Sequence, residues 1–354
     1  MKKHNFNPGP SIVAQPVIEK SIKAIKNFND TGLSILEISH RSAAFLEILE
    51  KTENLALKLL GLTTKKYNVL FLQGGASMQF LMVAYNFLKN KGGYINTGTW
   101  SEKSIKEAQK IGQVIAIASS KDKSFSYIPK DYTIPQDLDY LHITTNNTIF
   151  GTQYKKLPNS PVPLVADMSS DIFSREMDYS KLSLFYAGAQ KNLGISGVTI
   201  VVLENSFLEK IQTNLSSILN YKEHVSKKSL LNTPPVFAIY TSLLTLEWIE
   251  SQGGLKNIGK INEKKAHLLY DEIDRNPLFK GISKNEDRSQ MNVTFDLNEE
   301  KYKEKFEKLC AENYIHGIKG HRSVGGYRAS IYNALPIESI EILVECMKKL
   351  NKSI

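Results

Sequence analysis

Seven short apolar runs recur between residues 68 and 203, at 68–73, 93–96, 114–118, 140–144, 162–166, 182–187 and 198–203. Each has the length of a strand and is nearly continuous in apolar residues, the pattern of a strand covered on both faces. Stretches with helical spacing of apolar residues lie before and among them, at 17–28, at 44–60 and from Met78 onward. Strands separated by helices or loops specify a mostly parallel sheet with helices over it. One junction departs from that rule. Only a short loop separates Ala187 from Val198, too little chain for a helical crossover, so the last two runs pair as a hairpin and the sheet is mixed.

After about residue 258 the rhythm changes. A polar helix at 262–273 leads to a strand at 291–296 and a helix at 300–313. A glycine-rich segment at 317–326, a further strand and a last helix from Pro336 follow. With 354 residues the chain is long enough for two domains. The expected fold is α/β: a large domain at 16–257 holding a seven-stranded, mostly parallel mixed sheet. A smaller α+β domain is expected from residues 258–354 together with 1–15.

Composition excludes more than it selects. Hydrophobic content of 42% and charged content of 23% are ordinary for a globular chain. No run of 18 apolar residues is present, which argues against a membrane span. The first ten residues lack the apolar core of an export signal, so a cytoplasmic location is expected. Cys310 and Cys346 have no metal-ligand spacing, and neither a metal site nor a disulfide is expected. The net charge of +9 is spread over lysine pairs such as Lys65-Lys66 and Lys227-Lys228. That pattern fits solvated helix faces better than nucleic acid, and an anionic small substrate is the better use for concentrated positive charge.

The segment from Tyr186 to Gly197 places Lys191 just beyond a buried strand, in a loop bracketed by Gly188, Gly194 and Gly197. An isolated lysine is usually a surface group. A desolvated one can condense with an aldehyde cofactor. Asp167 ends an apolar run 24 residues earlier, where a carboxylate faces the ligand crevice of an open α/β sheet. Alone it would read as a helix cap. Paired with Lys191 it suits the pyridinium nitrogen of pyridoxal 5'-phosphate (PLP). Gln73-Gly-Gly-Ala-Ser77 opens a helix and offers free N–H groups to an anion. Trp100 follows a strand and could stack on a flat ring, although core packing is commoner for such a residue. Arginines in Ser39-His40-Arg41-Ser42 and in Gly320-His321-Arg322, with Arg328 close behind, present forks that grip carboxylate or phosphate.

Ala187-Gly-Ala-Gln-Lys191-Asn resembles the cofactor-lysine motif of the phosphoserine aminotransferase family. Further pieces match in family order: Phe6-Asn-Pro-Gly-Pro10, Ser39-His-Arg-Ser42, Gly74-Gly-Ala-Ser77, Asn232-Thr-Pro-Pro235, Arg288-Ser-Gln-Met-Asn-Val-Thr294 and Gly320-His-Arg-Ser-Val-Gly-Gly326. The resemblance implies the fold-type I aminotransferase architecture and a homodimer with shared active sites. It implies Lys191 as the catalytic, PLP-holding lysine, Asp167 on the pyridinium and Trp100 on the ring. Ala76, Ser77 and Gln190 would meet the phosphate and Thr148 the 3′ oxygen. Asn232 and Thr233 would reach the phosphate held by the partner. Arg41, His40, His321 and Arg322 would take the distal anionic group of the substrate, and Arg328 its α-carboxylate. The implied substrates are glutamate and 3-phosphohydroxypyruvate, in serine biosynthesis and, for a related acceptor, vitamin B6 biosynthesis. Ile195-Ser196 departs from many relatives, which carry proline or alanine there. Another fold-type I enzyme with a different acidic substrate is the alternative. A cysteine desulfurase is disfavoured because it needs a mobile catalytic cysteine.

Overall fold

The structure is a computed structural model and describes residues 3–353. Met1, Lys2 and Ile354, the outer ends of the expected small domain, lie outside the described residues. The central sheet takes its strands from the seven apolar runs: β1 (Tyr67–Leu72), β2 (Lys91–Asn96), β3 (Gln113–Ser119), β4 (Tyr140–Thr144), β5 (Leu164–Asp167), β6 (Leu184–Gly188) and β7 (Thr199–Glu204). Their spatial order is β1-β7-β6-β5-β4-β2-β3. All adjacent pairs are parallel except those of β7, which runs antiparallel to both β1 and β6. The register pairs Thr199 with Gly188 on one side and with Leu72 on the other. The hairpin expected from the short 188–199 junction is therefore present, and its loop carries Lys191.

Alternate residues of each strand feed two cores, as the period-2 geometry of a strand requires. Val69, Phe71, Phe185, Ala187, Ile200 and Val202 point into one, together with helix residues such as Phe45, Ile48 and Ile239. Leu70, Leu72, Leu184, Tyr186, Val201 and Leu203 point into the other, with Phe80, Phe87 and Phe207. Covering on both faces explains the apolar runs of the other strands, whereas edge strand β3 is only partly buried. The strand at 162–166 starts two residues late, at Leu164, because Pro163 has no N–H to give a ladder.

Helices α1 (Gln15–Lys26) and α2 (Ala43–Leu60) agree with the sequence reading to within two residues. Ser42 caps α2 by accepting from the Phe45 N–H, and Gly61 closes it in the left-handed region. After α3 (Gly75–Phe87) and α4 (Thr99–Gln109) comes α5 (Val236–Ser251), which the sequence reading did not identify. Helix α6 (Gly254–Arg275) begins eight residues before the expected 262.

The C-terminal part is a three-stranded antiparallel sheet of β8 (Phe279–Gly281), β9 (Asn292–Leu297) and β10 (Tyr327–Ser330). Helices α6, α7 (Lys303–Glu312) and α8 (Ile337–Lys352) contribute to its core, which joins Leu269, Ile273, Phe295, Phe306, Leu343 and Met347. Phe6 is buried in the same core, and His4–Asn5 forms a short parallel pair with Ile315–His316.

Candidate active site

The carboxyl ends of β1, β2, β4, β5 and β6 converge on one cleft, the side where open α/β sheets hold ligands. A cavity of about 260 Å³ there is lined by Gly75, Ala76, Ser77, Trp100, Thr148, Asp167, Gln190, Lys191, His321 and Arg328, among others. These residues are spread over more than 250 positions of sequence and arrive by several separate elements.

Lys191 comes from the β6–β7 loop. Its Nζ donates to Thr148 Oγ1 at 2.8 Å. Burial lowers its pKa to about 8; Asp167 opposes that shift, and the Arg328 guanidinium adds to it. The backbone around it is tied to the N-terminal segment: Ser11 Oγ donates to the Lys191 carbonyl at 2.8 Å, and Ser11 N–H to that of Gln190 at 2.9 Å. Gly9 (φ +140°) passes so close that a Cβ there would lie 3.3 Å from Lys191 Cγ. That contact explains why a glycine sits in the Pro8-Gly9-Pro10 turn.

Asp167 is the last residue of β5 and is buried. Burial raises the pKa of its carboxyl, while Ser169, whose N–H donates to Oδ1 at 2.9 Å, and Lys191 pull it back. Asp171, four residues on, is also buried and accepts from Thr145 Oγ1 at 2.5 Å and Gln153 Nε2 at 3.2 Å.

Gly74 (φ +90°) and Gly75 (φ +65°) make the turn from β1 into α3. A Cβ on Gly74 would lie 2.6 Å from Met78 Cβ, so only glycine allows the helix to start there. Ala76 and Ser77 thus occupy the first turn of a 13-residue helix, where backbone N–H groups are free for an anion. Trp100 sits in the first turn of α4, packed beside Ile149 and Phe150, with the Lys103 ammonium 4.6 Å from its ring centre. Arg328, on β10, is 5% exposed. Its best bond is Nη1 to the Thr148 carbonyl at 3.5 Å.

Three buried polar atoms of cavity-lining residues have no partner among the described residues: Trp100 Nε1, Thr144 Oγ1 and Arg328 Nε. Buried donors left unpaired are costly and mark a place where a bound group completes the bonding. An amine whose pKa is lowered to about 8, a buried carboxylate, a flat aromatic and a helix N-terminus on one cavity fit a phosphorylated pyridine aldehyde.

The remaining expected residues lie elsewhere. Arg322 borders a neighbouring cavity of about 610 Å³, which shares His321 with the cleft. Burial and the charges of Arg328, Arg322 and Lys103 lower the His321 pKa. Asn232 and Thr233 are exposed beside Gln73: Asn232 Nδ2 donates to Gln73 Oε1 at 2.9 Å and Gln73 Nε2 to the Thr233 carbonyl at 2.9 Å. Arg41 is exposed and His40 half-buried on the loop before α2; neither borders the cavity. No cluster of metal-ligating side chains occurs among the described residues. Cys310 and Cys346 are buried and unbridged.

The sequence reading missed Pro8, Thr144, Asn146, Ser169 and Ser170, which also line the cavity. Small polar residues at strand ends carry no signal apart from position. No helix among the described residues is long and apolar enough to cross a membrane.

Comparison with known proteins agrees with this geometry. The class-V aminotransferase family matches residues 3–343. A phosphoserine aminotransferase of Flavobacterium johnsoniae is 55% identical over the full length of both chains. The solved phosphoserine aminotransferase of Bacillus circulans subsp. alkalophilus superposes with a TM-score of 0.96 at 43% identity, covering 99% of each chain. A further phosphoserine aminotransferase structure, solved to follow radiation damage of its Schiff base, gives a TM-score of 0.96 at 44% identity over 100% of both chains. The chain belongs to the phosphoserine aminotransferase family of the class-V aminotransferases.

Proposed function

We propose that the chain is a PLP-dependent phosphoserine aminotransferase, moving an amino group between glutamate and 3-phosphohydroxypyruvate to give O-phosphoserine and 2-oxoglutarate. The observation that carries the reading is one cleft holding the Lys191 amine, the buried Asp167 carboxylate and the under-bonded Arg328 guanidinium. PLP, when bound, supplies an aldehyde that condenses with amines and a ring that accepts carbanion charge.

The protein's own groups do the rest. Lys191 Nζ would hold the cofactor's aldehyde and, when free, would take the proton from the donor's α-carbon. Its lowered pKa suits that work, because a base near pH 8 is neutral in a useful fraction of molecules. The Asp167 carboxylate would keep a proton on the pyridine nitrogen. The free N–H groups of Ala76 and Ser77, with Gln190, would take the phosphate, and Trp100 would stack on the ring. Thr148, the partner of Lys191 Nζ, would be available to the ring oxygen. Arg328 orients the α-carboxylate of the substrate.

Residues 16–257 serve as the cofactor-binding domain, with 1–15 and 258–354 as the small domain. The exposure of Arg41, Asn232 and Thr233 outside their own cavity supports a homodimer in which they serve the partner's site. In the cytoplasm such an enzyme would serve serine biosynthesis, and vitamin B6 biosynthesis through a phosphorylated hydroxy-threonine.

A phosphate ester carries close to two negative charges at neutral pH and calls for untitrating, forked donors. Arg41→Leu and Arg322→Leu should each lower kcat/KM for phosphoserine by about 10- to 150-fold, the worth of one charge-assisted bond. Serine, which leaves the distal pocket empty, should be far less affected. An unchanged phosphoserine-to-serine ratio in both variants would remove these arginines from anion recognition.

A further inference from the structure

Helix α6 buries a lysine completely. Lys265 is 0% exposed, and no carboxylate lies within ion-pair distance among the described residues. Its Nζ instead donates to three backbone carbonyls: Ile331 at 3.0 Å, Tyr332 at 2.7 Å and Leu335 at 3.2 Å. An ammonium has three protons, and each has an acceptor. Burial pulls its pKa down to about 7. A buried amine is a costly way to hold a turn, so what the turn touches matters.

The clamped segment, 331–335, leaves β10 three residues after Arg328. Its next contacts run to the cofactor lysine. The Asn333 N–H donates to Asn192 Oδ1 at 3.0 Å, and Asn192 is the residue after Lys191. Asn333 Nδ2 donates to the Phe173 carbonyl at 2.8 Å, and Asn262, one turn before Lys265 on α6, donates to Asn333 Oδ1 at 2.8 Å. Tyr332 OH donates to the Pro8 carbonyl at 2.9 Å, and Pro8 lines the cleft. All four side chains are buried.

We propose that Lys265 is a positioning residue for the active site: by clamping the 331–335 turn it sets Arg328 on one side and, through Asn333 and Asn192, the Lys191 loop on the other. The kinetic part of this inference rests on the function proposed above; the structural part does not. Side chains held within a fraction of an ångström decide rates, and a displacement of about 1 Å can cost on the order of 100-fold.

The test is amide hydrogen exchange and steady-state kinetics on PLP-loaded Lys265→Met, Asn262→Ala and Asn192→Ala, singly and with Asn192→Ala combined with each of the others. Lys265→Met should speed exchange in 331–335 and also in 189–198, while the rest of the central sheet keeps its protection. It should lower kcat by about 10-fold or more, with a smaller change in KM. In the Asn192→Ala background, adding Lys265→Met should no longer alter exchange in 189–198, because the link is already cut. Should Lys265→Met not fold, Asn262→Ala loosens the same turn without exposing a charge and should show the same spread. Faster exchange confined to 331–335, with kcat unchanged, would overturn the proposal and leave Lys265 a fastening within the small core. If the wild type does not act on phosphoserine, the functional reading fails instead, and the exchange data still decide the clamp.

Discussion

Arg328→Met should push stability and activity in opposite directions. Arg328 is buried, makes one 3.5 Å bond through Nη1, and leaves Nε without a partner; no carboxylate lies within ion-pair distance among the described residues. Burial lowers even its guanidinium pKa. Replacing an imperfectly paired buried charge with an apolar side chain of similar length should stabilise the ligand-free protein by about 1–3 kcal/mol. That corresponds to a rise in Tm of roughly 2–12 °C, given about 2–4 °C per kcal/mol in mid-sized domains. The same change removes the fork proposed to take the substrate α-carboxylate. Losing one charge-assisted bond at about 1.5–3 kcal/mol gives a 10- to 150-fold fall in kcat/KM, and losing both gives more. Differential scanning calorimetry of the cofactor-free protein and kcat/KM for glutamate with the PLP-loaded enzyme read the two halves. A lowered Tm with kcat/KM within about twofold of wild type would refute the reasoning, since Arg328 would then be structural.

Three further outcomes follow from the same geometry. Labelling of Lys191 by an amine-directed reagent in cofactor-free protein, followed by mass spectrometry, should rise with a midpoint near pH 8, because the reactive neutral amine dominates above the pKa that burial lowers; Asp167→Asn should move the midpoint lower, since Asp167 now holds it up. His142, fully buried with its pKa lowered to about 3 by burial, takes up protons only in the unfolded chain between about pH 3 and 6.5, so its contribution is complete above pH 6.5 and shrinks on acidification; by pH 5 about 2 kcal/mol should be lost, and urea titrations of His142→Gln should show a correspondingly flatter dependence. Asn232→Ala combined with Thr233→Ala should weaken PLP affinity without lowering Tm in the cofactor-free state, and a fully active monomer in sedimentation would remove these residues from a shared site.

The sheet was legible in the sequence because burial on both faces writes a continuous apolar run, and the hairpin because ten residues cannot hold a crossover. Helix α5 was not, for a related reason. It is buried on most of its circumference, so Leu243, Leu244 and Leu246 sit beside buried Thr241, Ser242 and Thr245 with no polar face to mark a period. Helix α6 read as a polar helix, yet Asn262, Lys265 and Glu272 face inward. A lysine held by carbonyls is indistinguishable in sequence from one held by water. The cleft residues that family motifs supply, from Ala76 to Arg328, line one cavity. His40, Arg41, Asn232, Thr233 and Arg322 do not, because a motif reports no position in space.

The central claim is that Lys191 is the lysine that holds the cofactor. Borohydride reduction of the PLP-loaded protein, followed by digestion and peptide mass mapping, tests it most directly. The account predicts the mass of reduced PLP on the peptide containing Lys191 and on no other, and no addition in Lys191→Ala. Cofactor mass on a different lysine, the buried Lys265 included, or no covalent addition at all, would contradict it.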